Sequence, residues 1–452
     1  MKQGEYALEF VNGTYRAAPA LWEVLSTAGK RVCVLGVPGT YPPQAVNGVI
    51  VSGFDSPVCT SVDTSFVYPK SEFDSVKDWR FADFQESKIG PGWHGMALAK
   101  LLDGVAAKER IAVDFLRREP WDFFMVVFGE SDTVSHHFWM FHDPESPRHR
   151  PGHADAIQKV YERLDAAVGT LVYEAGENVV VGVVSDHGFG GAGTGIVHLN
   201  NWLAETGYLR LDSTGDSVAK KTAMRFTSAS WRGAIFRRLK PLAVRAESHS
   251  RFGGIDWTAT RAWSEELNYF PSVRVNLKGR EPSGQVEPAD YESFCRDLCA
   301  RLEAWEPVRK AWRREELYAG AHVERAPDIV LELALDDGYS YSCLRSRGGA
   351  PLRQAEAYEY LGGKERGMNG NHRPTGVFFL SEATSRERMS LLDVAPTVYS
   401  ALNVAAPPVE GASLLDGAAR RDGEALSSTP EPYTPEQEAV VAERLRGLGY
   451  FE

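Results

Sequence analysis

Six short apolar runs punctuate the chain: residues 31–37 (RVCVLGV), 47–52 (NGVIVS), 123–128 (FFMVVF), 178–185 (NVVVGVVS), 328–333 (DIVLEL) and 376–380 (GVFFL). They are rich in Val and Phe, and their hydrophobicity is nearly continuous instead of alternating. That pattern predicts strands covered on both faces, as in a mainly parallel sheet. Helical periodicity falls between them. Residues 20–28 precede the first strand and residues 95–118 the third. Residues 154–174 lie between the third and fourth strands and place Ile157, Val160, Tyr161, Leu164, Val168 and Leu171 on one stripe. Residues 291–305 return to helical spacing, and Asp393 is positioned to cap a helix reaching Leu402, with Pro396 tolerated in its first turn. Strand and helix alternate, so the expected class is α/β, a mainly parallel sheet sandwiched by helices.

The rhythm breaks between residues 212 and 287, where Ser, Lys and Arg mix and then give way to Trp257, Trp263, Tyr269 and Phe270. This stretch is expected to be an insertion or cap whose aromatics either stack on a substrate or form core. The expected organisation is therefore a first part of the core (1–211), the insertion (212–287), a second part of the core (288–416) and a C-terminal strap and helix (417–452).

A chain of 452 residues can bury one large core and a subsidiary domain, or three modest ones. With 43% hydrophobic and 25% charged residues it is ordinary globular material, not a disordered chain. The formal net charge of −11 argues against general nucleic-acid binding, which needs a basic surface. The stretch 232–240 (RGAIFRRLK) is the one basic candidate and reads as a solvated helix face. Cys33, Cys59, Cys295, Cys299 and Cys343 are odd in number and scattered, which points to a reducing compartment. No run reaches the roughly 18 apolar residues of a membrane span, and the N-terminus lacks an apolar signal region. The expected location is cytoplasmic.

Three segments carry chemistry. The first, Gly129 to Trp139 (GESDTVSHHFW), follows the third strand, and ligands of α/β sheets gather beyond the carboxyl ends of strands. Asp132 and His136 are four apart, so one helical turn places a carboxylate and an imidazole on the same side, donors that suit a divalent ion such as Zn²⁺. The second, Val183 to Gly191 (VVSDHGFGG), sets Asp186 and His187 side by side at another strand end, before glycines that permit a sharp turn. Packing alone would not select that pair, because an unpaired buried charge is costly. The third, Gly370 to Gly376 (GNHRPTG), puts His372 between turns beside the last apolar run. His137 and His198 stay unassigned. The loop 59–64 (CTSVDT) offers hydroxyls and a carboxylate but reads as surface.

Together these segments resemble the type I phosphodiesterase/nucleotide pyrophosphatase branch of the alkaline phosphatase superfamily, and within it the bacterial phosphohydrolase/phosphomutase-like proteins. The likeness extends to LWEVL from Leu21, GVPGTYPP from Gly36, VSGFDSP from Val51, LNNWL from Leu199, REELY from Arg314, DVAPTV from Asp393 and RLRGLGY from Arg444. It implies an alkaline-phosphatase-like fold and hydrolysis of a small phosphorylated substrate at two divalent metal ions, Zn²⁺ first, with Mn²⁺ or Fe²⁺ as alternatives. One ion would take Asp132, His136 and His372. The other would take Asp186 and His187, with an Asp of the family's first strand and a Thr or Ser nucleophile. The ions would sit about 4 Å apart and assist in-line attack on phosphorus. Residues 5–13 (EYALEFVNG) resemble the stretch just C-terminal to the nucleophile segment in that family, so the nucleophile is expected outside this chain, which is either a fragment or a degenerate member. A phosphomutase and a non-catalytic binding protein are the alternative readings.

Overall fold

The apolar run at 31–37 forms the centre of the first sheet in the computed structural model, which describes residues 4–7, 9, 11–53, 63–82, 84, 89–211, 251–361, 368–384, 386–415, 433–434, 437–438 and 441. The basic stretch 232–240, most of the loop 59–64, the first part of the expected insertion and most of the C-terminal strap and helix lie outside the described residues. Helix α1 (Leu21–Thr27) leads into β1 (Val32–Val37) and β2 (Gly48–Ser52); β3 (Val67–Tyr68), the one-turn α2 (Phe73–Val76), the long α3 (Trp93–Arg118) and β4 (Phe123–Val126) come next. The order across the sheet is β3-β2-β1-β4. β1 runs parallel to β2 and β4, and β3 is antiparallel.

Successive side chains of a strand point to opposite faces, and both faces of β1 are covered. Cys33 and Leu35, with Val49 and Val51, pack against Ile111, Ala112 and Phe115 of α3. Val32 and Val34, with Ile50, pack against Trp22 and Leu25 of α1 and against Tyr399. That is the burial the continuous hydrophobicity predicts.

Beyond β4, α4 (Glu130–His142) and α5 (Ala156–Ala175) stack with α3. Then come β5 (Gly182–Val184), β6 (Gly188–Val197) and α6 (Leu199–Glu205). A second, antiparallel sheet has the order β7-β8-β10-β9. It is built from β7 (Ala262–Trp263), β8 (Ser272–Val275), β9 (Val308–Arg313) and β10 (Ile329–Leu333), with α7 (Tyr291–Glu303) packed on β9 and the one-turn α8 (Arg314–Leu317) after it. It draws on residues from both sides of position 287. Trp263 is buried here and Trp257 stacks on Tyr6 with ring centroids 3.6 Å apart, so these two aromatics are core.

A third sheet gathers around β6: β11 (Leu335–Asp336), β12 (Tyr339–Cys343), β13 (Leu352–Gln354) and β14 (Gly370–Arg373). β12 is parallel to β6, whereas β13 and β14 are antiparallel to it. β15 (Phe378–Leu380) pairs with β5 in a two-stranded ribbon, and α9 (Val394–Ala401) returns to the first sheet.

The class is α/β, with three local differences from the expectation. Parallel pairing is confined to β2-β1-β4 and β6-β12 among the described strands. The runs 178–185 and 376–380, expected to be buried on both faces, form the exposed ribbon: all three residues of β5 are exposed, and so is Phe379. Asp393 also differs. It stands at the N-cap position of α9, whose C-cap is Leu402 as expected, but its carboxylate accepts the backbone N–H groups of Ser390 and Ala412 and makes no capping bond to the helix.

Candidate metal centre

Helix α4 begins one turn beyond the end of β4, and its first turn holds Glu130 and Asp132 where the helix dipole favours carboxylates. The 3.6-residue period then brings His136 beside Asp132, with Asp132 Oδ1 3.3 Å from His136 Nε2. β14 lies against this helix. Asn369 N–H donates to the His136 carbonyl at 3.0 Å, and a Cβ at Gly370 would fall 2.3 Å from the Ser135 carbonyl oxygen, so only glycine admits the approach. The antiparallel register of β14 on β6 pairs His372 with Phe189, two residues beyond His187.

Four side chains converge as a result. Asp132 Oδ1 lies 3.3 Å from His372 Nε2 and 3.7 Å from His187 Nε2. His136 Nε2 is 3.0 Å from His372 Nε2. The rings of His187 and His372 stack with centroids 3.6 Å apart. His136 Nδ1 faces the Gly370 carbonyl at 2.9 Å and His187 Nδ1 the Gly188 carbonyl at 3.1 Å. A backbone carbonyl accepts from N–H, which leaves each Nε2 with its lone pair.

Burial pushes the Asp132 carboxyl up, but the imidazoles of His136 and His372 outweigh it and hold the group well below the usual carboxylate range. Burial pushes His372 down, and Asp132 only partly opposes this.

The donor set fits a divalent cation. Asp132 Oδ1 is shielded from solvent and accepts no well-aligned hydrogen bond among the described residues. Its neighbours are imidazole nitrogens whose lone pairs would repel one another at these separations without a proton or a cation between them. Ligand atoms around a tetrahedral ion with bonds of about 2.0–2.1 Å lie roughly 3.3 Å apart, the range found here. Asp132, His187 and His372 also form a group whose ligand atoms all lie within 4.8 Å of one another.

Of the five residues expected from the sequence, Asp132, His136, His187 and His372 are brought together. Asp186 stays at the edge: its side chain is 80% exposed, with Oδ2 3.5 Å from His187 Nε2. His137 sits in an aromatic cluster with Phe84 and Trp93, and His198 is buried between the Leu344 carbonyl and Arg353. Asp63 caps a 3-10 turn by accepting Ser65 N–H.

Two residues enter the site unannounced by motif spacing. Phe189 packs edge-on to His136 and His372. Tyr269, noted only as one aromatic of the insertion, stacks on His372 at 4.5 Å and 13°. Its loop is clamped by Glu266, a buried carboxylate that accepts from Asn200 N–H (2.9 Å) and Ser346 N–H (2.7 Å).

The profile of the type I phosphodiesterase/nucleotide pyrophosphatase family matches residues 3–359. The chain belongs to that family. No curated protein sequence matches it. Among solved structures it is similar to human ectonucleotide pyrophosphatase/phosphodiesterase 5, at 13% identity and a TM-score of 0.42, over 87% of this chain and 73% of that one. It is also similar to the phosphonoacetate hydrolase of Sinorhizobium meliloti 1021 in complex with phosphonoformate, at 13% identity and a TM-score of 0.33, over 68% of this chain. The matched region spans 57% of that hydrolase's length. These are distant likenesses, and the assignment rests on the family profile.

Proposed function

We propose that this protein hydrolyses small phosphate esters with divalent metal ions held by the Asp132 cluster. One observation carries the reading. The Asp132 Oδ1 atom, shielded from solvent and without a well-aligned hydrogen bond among the described residues, is ringed by three imidazole nitrogens at 3.3–3.7 Å, in a chain whose family is that of type I phosphodiesterases.

Asp132, His136 and His372 hold one ion, and Asp186 with His187 contributes to a second; Zn²⁺ suits the donors, as do Mn²⁺ and Fe²⁺. Bound there, such ions supply Lewis acidity for phosphoryl and leaving-group oxygens. The chain's own part is to hold this charge in place. The Gly370 and Gly188 carbonyls fix the imidazole tautomers, Asp132 supplies the negative charge, and Phe189 and Tyr269 pack against the rings of His136 and His372. Asp186 is open to solvent on the side from which a phosphorylated substrate would arrive.

The test is metal analysis of the purified chain together with hydrolysis of chromogenic phosphate mono- and diesters under added Zn²⁺ or Mn²⁺. The expected result is bound metal and metal-dependent turnover, both lost in Asp132→Ala. Bound metal without turnover of any ester supports the binding-protein reading instead. Isomerisation of a sugar phosphate without phosphate release supports the mutase. Absence of bound metal removes the proposal altogether.

A further inference from the structure

A cleft of about 470 Å³ opens between the end of α4, the start of β6, the turn joining β11 to β12, and β14. It neighbours the histidines through Phe189, whose ring lies 6.2 Å from that of Trp139 in the cleft and 4.7 Å from that of His136. Two residues with donor groups line it. The indole Nε1 of Trp139 is buried and has no hydrogen-bond partner among the described residues. Arg373, half-buried, is held by the Gly191 carbonyl at 2.9 Å, the Gly338 carbonyl at 3.1 Å and the His372 carbonyl at 3.4 Å, which leaves its Nε–H and one Nη1–H for a ligand. Among the described residues no carboxylate pairs with its guanidinium.

The floor beneath both donors is Gly190–Gly191. A Cβ at Gly190 would lie 2.6 Å from Arg373 Nε, and one at Gly191 would lie 2.8 Å from Trp139 Nε1. The cradle therefore exists only because neither position carries a side chain. A buried N–H without an acceptor is costly, and a guanidinium without a counter-charge is matched by the paired oxygens of a carboxylate or a phosphate.

We propose that this cleft binds a small, singly charged oxyanion, a carboxylate or the monoanionic phosphate of a diester, against Arg373 and Trp139. The acids around it set the charge limit. Asp143 already accepts the Tyr339 hydroxyl at 2.9 Å and the Glu145 N–H at 3.0 Å. Burial and the Asp143 carboxylate push the Tyr339 hydroxyl up to about 12, so it remains a donor. Glu145 and Asp337 are exposed in the lining and repel a polyanion. A single negative charge satisfies the arginine without exceeding what these carboxylates tolerate.

The site is independent of the metal reading, and its test is chosen accordingly. Full-length protein carrying ¹⁵N-indole tryptophan is titrated with acetate, with dimethyl phosphate and with sulfate, and the Trp139 resonance is assigned by its loss in Trp139→Phe. The expected result is a saturable shift with acetate, dimethyl phosphate or both, whichever binds tighter naming the source, and weaker binding of sulfate. Arg373→Met weakens the binding by about tenfold or more. Asp337→Asn, in a turn position with φ +48° that Asn accepts, tightens it by up to about fivefold. That gain cannot come from misfolding. No saturable shift, an unchanged shift in Arg373→Met, tighter binding of sulfate, or a shift that vanishes when chelator removes metal would each overturn the proposal.

Discussion

His372 is held on both faces. The His187 ring stacks on it at 3.6 Å and the Tyr269 ring at 4.5 Å, while Phe189 meets it edge-on at 5.4 Å. An imidazole that binds metal through one nitrogen needs its plane fixed, and neighbours that do this typically carry about 10–100-fold of metal affinity. Tyr269 does so through its ring, since its hydroxyl reaches the Met368 sulfur at 2.8 Å and not the histidine. Tyr269→Phe is therefore expected to bind Zn²⁺ like the parent in a chelator competition. Tyr269→Ala is expected to lose about tenfold in affinity. Equal affinity in the two variants would mean the stack positions nothing.

At the scale of elements, the site depends on how α4 is seated. Its first turn carries Glu130, which is almost fully buried and faces Lys108 of α3, also buried, with Nζ 2.9 Å from Oε1 and 3.0 Å from Oε2. Removing one partner of such a pair leaves an uncompensated buried charge, at a cost of about 3–5 kcal/mol, whereas replacing both by apolar groups is often close to neutral. Lys108→Met should lower stability to denaturant by that amount, and Lys108→Met with Glu130→Leu should recover most of it. An additive double variant would show that the two side chains are not coupled. This dependence also marks what the sequence reveals and what it conceals. Asp132 and His136 are legible because one helical turn relates them, and β1 is legible because its continuous apolar run is covered on both faces. The proximity of His187 to Asp132 and His372 is not legible, since it arises from the register of β14 on β6, a pairing between segments some 180 residues apart. Tyr269 is hidden for a similar reason: its place over His372 is set by the clamp on Glu266, which no local pattern encodes.

Across the whole molecule, apolar surface is unevenly covered. Val34 and Ile50 are sealed, but Val184, Val377 and Phe379 on the β5–β15 ribbon are 41%, 66% and 54% exposed, and Leu391 and Leu392 are exposed as well. Two strands alone rarely make a stable unit in water, and contiguous exposed apolar surface is a site of association. The ribbon is also what delivers Asp186 and His187, for Ser185 N–H donates to the Val377 carbonyl at 2.9 Å and Val377 N–H donates to Ser185 Oγ at 2.7 Å. The half of the candidate site nearest Asp186 therefore rests on the least covered sheet, while the half built by α4 rests on buried helix packing. Val377→Thr with Phe379→Thr keeps strand propensity and removes apolar surface. The double variant is expected to bind less of an apolar-sensitive dye and to show less concentration-dependent light scattering, with thermal stability shifted by no more than about 0.5 kcal/mol, as for other surface changes. A large loss of stability instead would mean that these side chains are packed in solution, and that the ribbon is as firmly held as β1.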